Sequence, residues 1–210
     1  MIEKQYSPGN IARLFCDMIY TRLFWPAARL VRYPATVRGR KYLKLDKGLT
    51  TGRNCRIEIF KTLGGDDPIL KIGKNVQLND NVHICALKSV EIGDDVLMAS
   101  NVYVSDNSHG VYAGNGHHST PDSAPIDREY EMRPVRIGNK VWIGEGVMIL
   151  PGVEIGDGAV IGAHAVVNAS VPAACIAVGA PARIVKRFNP ATGKWEKTNT
   201  DGSFKSDNEL

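Results

Sequence analysis

Between Ile137 and Pro172 aliphatic residues recur at intervals of six. A second column of small aliphatic residues follows the first, four places later each time. The first column is Ile137, Ile143, Ile149, Ile155, Ile161 and Val167, and the second is Val141, Val147, Val153, Ala159, Ala165 and Val171. An α-helix repeats about every 3.6 residues and a strand every two, so neither explains this spacing. Hexapeptide spacing predicts a parallel β-helix, in which short strands stack coil upon coil around an aliphatic interior.

The same period is visible, with interruptions, in the preceding part of the chain. It occurs at Leu45, Thr51 and Ile57, then at Ile72, Leu78 and Ile84, and then, after a slip of two residues, at Ile92, Met98 and Val104. We expect a corner bulge to absorb the slip and a loop to cover the glycines and aspartates just before Pro68. Three hexads complete one triangular coil, so the pattern predicts about five coils.

The repeat is flanked by a predicted helix and a polar tail. Ser7 and Pro8 supply a cap and a first-turn proline, and an apolar stripe at helical spacing follows until Pro26. We expect this stripe to pack on the β-helix or on a neighbouring subunit; peripheral contact with a membrane is the alternative. The predicted division is 1–41 for the helix and a lead-in strand, 42–187 for the β-helix, and 188–210 for a helical or irregular C-terminal cap.

The repeat opens at one place, between Val104 and Ile137. The segment 110–134 is rich in proline and glycine and has no sustained period. A loop of this length in a compact domain usually has a function. The polar run from Ser105 to His109 stands directly before it, so we expect the chemistry to lie at this edge.

Composition excludes several other classes of protein. The 210 residues carry a net charge of +4, concentrated in the first quarter, and no nucleic-acid-reading motif accompanies that charge. The four cysteines lie far apart, which argues against a zinc knuckle and fits a reducing compartment. No signal sequence opens the chain, and no apolar run approaches the ~18 residues of a membrane span. We therefore expect a cytoplasmic protein.

Three motifs resemble those of the hexapeptide-repeat acyltransferases, and most closely their sugar O-acetyltransferase branch (galactoside, maltose and lipopolysaccharide O-antigen type). The motifs are Asp106-Asn-Ser-His109-Gly110, then Pro134-Val-x-Ile137-Gly-x-x-Val-Trp142-Ile-Gly144 with Leu150-Pro-Gly152, and Gly179-Ala-Pro-Ala-Arg183-x-x-Lys186. The resemblance implies an all-β fold, a left-handed parallel β-helix assembled as a homotrimer with active sites between subunits. It also implies acetyl-CoA as the acetyl donor and no requirement for a metal.

Transfer of an acetyl group from a thioester to a hydroxyl needs a base that takes the hydroxyl proton. Histidine suits this role, because its ordinary pKa of about 6.5 lies near the working pH. The resemblance places the catalytic histidine on His109, and the position of His109 beside the open loop supports the same choice. The other histidines are His83, His117, His118 and His164.

The remaining site residues are predicted in two groups. The resemblance places the CoA contacts on Glu145, Ala163, Asn168, Ala169, Arg183 and Lys186. Arg183 and Lys186 are spaced to bind the nucleotide phosphates. Substrate binding is assigned to Asn79, His83, Asp106 and Asn107; for Asp106, orienting His109 and an ordinary turn carboxylate are the alternatives.

The predicted function is transfer of acetyl from acetyl-CoA to a sugar hydroxyl, for a surface polysaccharide or lipopolysaccharide. N-acetylation of an aminosugar is the nearest alternative. A γ-carbonic-anhydrase-like metal enzyme would need three converging imidazoles, two of them five residues apart, and no pair of histidines has that spacing. A non-catalytic β-helix scaffold would need only the repeat, and the intact set of His109, Trp142, Arg183 and Lys186 argues against it.

Overall fold

The structure is a computed structural model that describes residues 7–61, 68–112 and 118–205. The predicted loop before Pro68 lies almost entirely outside these ranges, and His117 lies outside them. Helix α1 spans Pro8–Phe24. The Ser7 Oγ accepts a hydrogen bond from the Asn10 N–H at 3.3 Å, which confirms the predicted cap.

Strands of two to five residues form the body. β1 (Ala35–Arg38) precedes the first coil. The five coils are β2 (Leu43–Leu45), β3 (Thr50–Thr51) and β4 (Cys55–Ile59); β5 (Leu70–Ile72), β6 (Gln77–Leu78) and β7 (His83–Ala86); β8 (Val90–Ile92), β9 (Leu97–Met98) and β10 (Tyr103–Ser105); β13 (Val135–Ile137), β14 (Trp142–Ile143) and β15 (Met148–Ile149); and β16 (Glu154–Ile155), β17 (Val160–Ile161) and β18 (Val166–Val167). β11 (Asn107–His109) and β12 (Tyr130–Met132) lie between the third and fourth coils, and β19 (Cys175–Val178), β20 (Arg183–Asn189) and β21 (Lys194–Lys197) follow the last.

The coils stack into three faces. Sheet A has the order β21-β20-β19-β17-β14-β9-β6-β3, sheet B the order β1-β4-β7-β10-β15-β18, and sheet C the order β16-β13-β8-β5-β2. The A–B corner comprises the turns 52–54, 79–81, 99–101, 144–146 and 162–164, which lead from sheet A to sheet B. The B–C corner comprises the connections that leave β4, β7, β10, β15 and β18.

The pairing register confirms the hexapeptide prediction. In sheet B, Ile57 lies opposite Ile84, Ile84 opposite Val104, Val104 opposite Ile149, and Ile149 opposite Val167, all in parallel. These side chains are buried in one continuous core. The parallel β-helix of about five coils is therefore confirmed, because each aliphatic of the repeat stacks on its equivalent one coil away.

The predicted two-residue slip is a longer corner. After β7 the chain makes an extra turn through Leu87, Lys88 and Ser89 before β8 begins. The backbone N–H groups of these three residues donate to the carboxylate of Asp106. A side chain therefore satisfies donors that the strand ladder leaves without partners.

The predicted helical or irregular C-terminal cap is wrong within residues 188–205. β20 pairs antiparallel with β19, and β21 pairs antiparallel with β20. Phe188 and Trp195 lie opposite each other with ring centroids 5.6 Å apart. The tail forms strands here because the edge of sheet A offers unpaired backbone groups, to which β20 adds. The Phe188 and Trp195 rings then form a cross-strand pair between β20 and β21.

The excursion 110–134 is also more ordered than predicted. It leaves β10 as β11 and returns as β12, and the two strands pair antiparallel, with His109 opposite Tyr130. A short 3₁₀-helix, Pro125–Asp127, lies within it. An antiparallel hairpin therefore frames the described part of the excursion, residues 110–112 and 118–134.

Helix α1 faces the β-helix with its polar side, so the expected packing of the stripe on the β-helix of the same chain is wrong, whereas packing on a neighbouring subunit and contact with a membrane stay predictions. Asp17 and Thr21 are 3% and 4% exposed, whereas Phe15 and Leu23 are 62% and 70% exposed. The Thr21 hydroxyl accepts from the Val31 N–H at 2.8 Å, and Asp17 forms an ion pair with Arg53 at 2.6 Å. Hydrogen bonds and an ion pair, rather than apolar packing, attach this face. In the described residues no helix is both long and apolar enough to cross a bilayer.

Candidate active site

His109 lies at the end of β11, on the hairpin at the B–C corner, and its side chain is exposed. The His109 Nδ1 is 3.2 Å from the carbonyl oxygen of Pro125. A carbonyl only accepts hydrogen bonds, so in the neutral imidazole this contact places the proton on Nδ1 and the lone pair on Nε2. The ring centroid is 4.6 Å from that of Tyr130, which restrains the imidazole from one side. Within the described residues Nε2 has no hydrogen-bond partner, so the exposed ring has one nitrogen available to a ligand.

Hydrogen bonds within the hairpin hold the backbone that carries His109. The Tyr112 hydroxyl donates to the carbonyl of His109 at 2.8 Å. The Arg128 guanidinium donates to that hydroxyl at 2.8 Å and also to the carbonyl of Ser123. The sequence pattern did not reveal Pro125, Tyr130 and Arg128, because they act through folding of the hairpin and no periodicity marks them.

Asp106 is fully buried, and the protein itself occupies its carboxylate, so its predicted role in substrate binding gains no support and stays a prediction. Its carboxylate accepts hydrogen bonds from the backbone N–H groups of Leu87, Lys88 and Ser89 at 2.7 to 3.2 Å and from the side-chain amide of Asn107 at 3.0 Å. No lone pair faces solvent. Asp106 instead fastens the long corner of the second coil to the base of the hairpin.

Asn107 is half-buried beside Asp106. Its side-chain amide also lies 3.5 Å from the Sγ of Cys85, whose pKa burial raises. The amide nitrogen is thus committed to the protein interior. The role predicted for Asn107 in substrate binding stays a prediction, and these contacts give it a clear structural role.

His83 lies on the outer face of sheet B within a charged cluster. Its Nε2 is 3.2 Å from Glu58, a buried carboxylate that also pairs with Arg56 at 2.7 Å and with Arg38 at 3.3 Å. The Arg56 guanidinium holds the pKa of Glu58 below its usual value. The His83 ring lies 5.2 Å from that of Tyr103, the neighbour one coil closer to the hairpin. A substrate role for His83 stays a prediction.

Three predicted residues line up along the A–B corner. Asn79, Glu145 and Ala163 follow β6, β14 and β17, so they belong to the second, fourth and fifth coils. Asn79 accepts a hydrogen bond from Gln77 at 3.0 Å, and Glu145 accepts one from Asn101 at 2.9 Å. The A–B corner therefore carries one candidate for substrate binding and two candidates for CoA binding.

A second group of CoA candidates surrounds a pocket of about 460 Å³ near the last coil. Asn168, Ala169 and Arg183 line it. Lys186 is exposed on the same strand as Arg183 but does not line this pocket. The Arg183 guanidinium donates one hydrogen bond, to the carbonyl of Ala182. Within the described chain its charge has no carboxylate partner.

Apolar side chains project beside the A–B corner. Trp142 is 53% exposed on sheet A and Met148 is 49% exposed on sheet B, with Leu97 one coil below Trp142. An exposed apolar patch of this kind marks a surface that a ligand or another chain covers. Trp142 therefore fits the predicted role of shaping the wall of a cleft.

The described residues contain no group of three or more His, Cys, Asp or Glu side chains placed to hold a metal ion. The γ-carbonic-anhydrase alternative gains no support from the geometry. Within one chain, His109 lies at the B–C corner, whereas Asn79, Glu145 and Ala163 lie at the A–B corner. The structure does not bring the predicted site together in a single chain.

Comparison with known proteins identifies the same hexapeptide repeat. The family described as "Bacterial transferase hexapeptide (six repeats)" matches residues 134–169. WbbJ of Escherichia coli (strain K12), assigned to lipopolysaccharide biosynthesis as an O-acetyl transferase, is 37% identical over 196 residues, which are 93% of this chain and 97% of WbbJ.

Two solved structures are similar over most of their length. A galactoside acetyltransferase in complex with coenzyme A is 30% identical, with a TM-score of 0.51, over 80% of this chain and 75% of that one. A maltose O-acetyltransferase from Clostridium difficile 630 is 26% identical, with a TM-score of 0.58, over 87% of this chain and 90% of that one.

Proposed function

This chain belongs to the hexapeptide-repeat acetyltransferases, and we propose that it transfers acetyl from acetyl-CoA to a hydroxyl of a sugar destined for a surface polysaccharide or lipopolysaccharide. The observation that carries the proposal is the state of His109. Its Nδ1 is engaged by the Pro125 carbonyl, so Nε2 is the free base on an exposed hairpin. The similarity to WbbJ supports the polysaccharide context.

The chemistry requires one proton to move twice. The His109 Nε2 accepts the proton of the sugar hydroxyl as the oxygen attacks the thioester carbonyl. The tetrahedral intermediate then collapses and the C–S bond breaks. The imidazolium returns the proton to the sulfur, so CoA leaves as a thiol and the sugar leaves as an acetate ester. The Pro125 carbonyl stabilises the imidazolium between the two transfers, because its oxygen accepts from Nδ1–H.

The proposed assembly is a homotrimer with the active site between neighbouring subunits. His109 at the B–C corner would then face the A–B corner of the next subunit, which carries Asn79, Glu145 and Ala163. The exposed Trp142 and Met148 support this arrangement, since they flank the A–B corner. We place the reaction in the cytoplasm, where acetyl-CoA is available.

The test of the function is release of free CoA from acetyl-CoA in the presence of free, nucleotide-linked and lipid-linked sugars. We expect one class of sugar to stimulate release and to gain one acetyl group. Mild base should remove that group, because an ester is base-labile and an amide is not. A base-stable product on an aminosugar would replace this function with N-acetylation, and no stimulation by any sugar would reject it.

Replacing both Arg183 and Lys186 with alanine should raise the KM for acetyl-CoA about tenfold for each charge-assisted hydrogen bond to phosphate that is removed. The value of kcat should change much less, because these groups would bind the nucleotide end equally in the ground and transition states. Steady-state kinetics measure both. Arg187→Ala is the control, since Arg187 is an exposed cation on the same strand. A double variant with the same KM as that control would contradict the CoA assignment.

We also propose that α1 lies on an anionic membrane surface. Its outer stripe consists of Ile11, Phe15, Met18, Ile19 and Leu23, all exposed. The one acidic residue of the helix, Asp17, is buried against Arg53, whereas Arg22 is exposed beside the stripe and Arg29 just beyond the helix. An apolar stripe with a basic rim and no exposed acid fits a surface of anionic lipids.

The double variant Phe15→Glu and Leu23→Glu should therefore reduce binding to phosphatidylglycerol vesicles at least about tenfold, because it removes apolar burial and adds repulsion. Co-sedimentation measures the bound fraction. Phe204→Glu is the control, since Phe204 is an exposed aromatic residue of the C-terminal segment that follows the last coil. Absence of vesicle binding by the unaltered protein, with dissociation of its oligomer in the double variant, would instead assign the stripe to a second copy.

A further inference from the structure

We propose that a pocket between α1 and the A–B corner binds a phosphate or diphosphate group of the sugar acceptor; the proposal rests on the function proposed above. The pocket has a volume of about 430 Å³. Its polar lining includes Arg13, Arg32, Arg53, Gln77, Asn79 and Asp80. Three guanidinium groups from separate segments thus converge on the space next to the predicted sugar contact, Asn79.

The charges of this pocket are only partly compensated. Arg53 is ion-paired with the buried Asp17 at 2.6 Å. Arg32 donates to the backbone carbonyl of Thr51 at 2.8 Å, which is a neutral partner. Arg13 is exposed and has no hydrogen bond or ion pair within the described residues. In the part of the chain that the structure describes, two guanidinium groups of the pocket therefore lack a carboxylate partner.

The one acid in the lining, Asp80, offsets only part of this charge. Its Oδ1 accepts the backbone N–H of Arg53 at 2.6 Å, so one oxygen of this exposed carboxylate is bound to the backbone, and one carboxylate stands against the two guanidinium groups. A neutral sugar would need only hydroxyl and amide partners, which Gln77 and Asn79 supply. Arginine forks match the geometry and charge of phosphate oxygens, so Arg13 and Arg32 indicate an anionic acceptor.

The pocket and the predicted CoA-phosphate site lie at different levels along the axis of the β-helix. Gly52, Asn79 and Ser100 belong to the first three coils, whereas Arg183 lies beyond the fifth. The hairpin with His109 leaves the third coil. Coils are spaced by about 4.8 Å, so the two basic sites lie on opposite sides of the level of His109. This order suits a reaction in which donor and acceptor approach the base from opposite ends.

Two kinds of sugar conjugate carry the required group. A nucleoside diphosphate sugar and a polyprenyl diphosphate sugar share the diphosphate next to the sugar. The pocket recognises that shared chemistry. The exposed stripe of α1, on the opposite face of the helix from Asn10 and Arg13, would bring the pocket close to a lipid-linked form.

The experiment measures binding of inorganic pyrophosphate by calorimetry, with CoA at saturation to occupy the donor site. We expect one site per chain in the unaltered protein. Arg13→Gln combined with Arg32→Gln should weaken this binding at least about tenfold. Arg136→Gln is the control, since Arg136 is an exposed arginine on sheet C. If the double variant unfolds at a lower temperature than the unaltered protein, Arg13→Gln alone replaces it in the test. This single variant is suitable because Arg13 is exposed and unpaired among the described residues.

Absence of pyrophosphate binding by the unaltered protein in the presence of CoA would overturn the proposal, as would equal binding by the double variant and the control. In turnover, the double variant should raise the KM for the diphosphate-linked acceptor and leave the KM for acetyl-CoA unchanged. Nucleotide-linked and polyprenyl-linked sugars form separate arms that identify the source of the group. Pyrophosphate binding needs no turnover, so absence of acetyl transfer would reject the proposed function and leave this result standing.

Discussion

Replacement of His109 by alanine should lower kcat for acetyl transfer by about 10² to 10⁴-fold, the range that a well-placed general base contributes. The His109 ring is exposed, and among the described residues its side chain makes one hydrogen bond, to Pro125. The substitution therefore removes the base without removing any buried group. Free-thiol release with a responsive sugar measures the effect.

His118→Ala is the matched control, because His118 is an exposed histidine of the same excursion. It should retain full activity. Added imidazole should restore part of the activity of His109→Ala, since a free base can enter the space that the ring leaves. A His109→Ala protein with unchanged kcat would show that another group accepts the proton.

Asp106→Ala should lower the free energy of unfolding by about 3 to 5 kcal/mol, because it leaves three backbone N–H groups, one buried and two partly buried, without an acceptor. These donors belong to Leu87, Lys88 and Ser89. The base of the hairpin would lose its attachment at the same time, so activity should fall as well. Urea denaturation measures the change in stability.

Asp94→Ala is the control for this prediction. Asp94 is also a corner carboxylate, and it accepts one backbone hydrogen bond, from Lys74 at 2.7 Å, at a solvent-accessible position. Loss of this carboxylate should lower the free energy of unfolding by only about 1 kcal/mol. Equal destabilisation by the two substitutions would mean that the Asp106 carboxylate does not hold the corner together.

The repeat was predictable because each aliphatic residue occupies the same environment in every coil. Ile143 and Ile161 are both buried and lie opposite each other, as their spacing requires. The cap of α1 was predictable for a related reason, since Ser7 and Pro8 act on neighbouring residues. Local and periodic features of this kind can be read directly from a sequence.

Features that depend on contacts between distant segments were missed or misread. The role of Asp106 arises only when the long corner of the second coil lies against it. The two-residue slip was the signal, because it implied backbone donors without strand partners. Packing of the apolar stripe on the β-helix was the part of the prediction for α1 that proved wrong, because Asp17 and Thr21 bind the body through polar contacts instead.

The candidate site was predictable as a set of residues but not as an arrangement. The motifs identified His109 and Arg183, and the structure places them on separate surfaces of one chain. A pattern within a single sequence contains no information about the position of a neighbouring subunit. The proposed trimer explains why residues of one site are distributed over two corners.

A crystal structure of the protein with bound CoA tests the central claim most directly. We predict a trimer in which the CoA thiol lies between two subunits, within reach of the His109 Nε2 of one of them, with the phosphates on Arg183 and Lys186. A monomer, or a CoA thiol remote from every His109, would contradict the proposed mechanism.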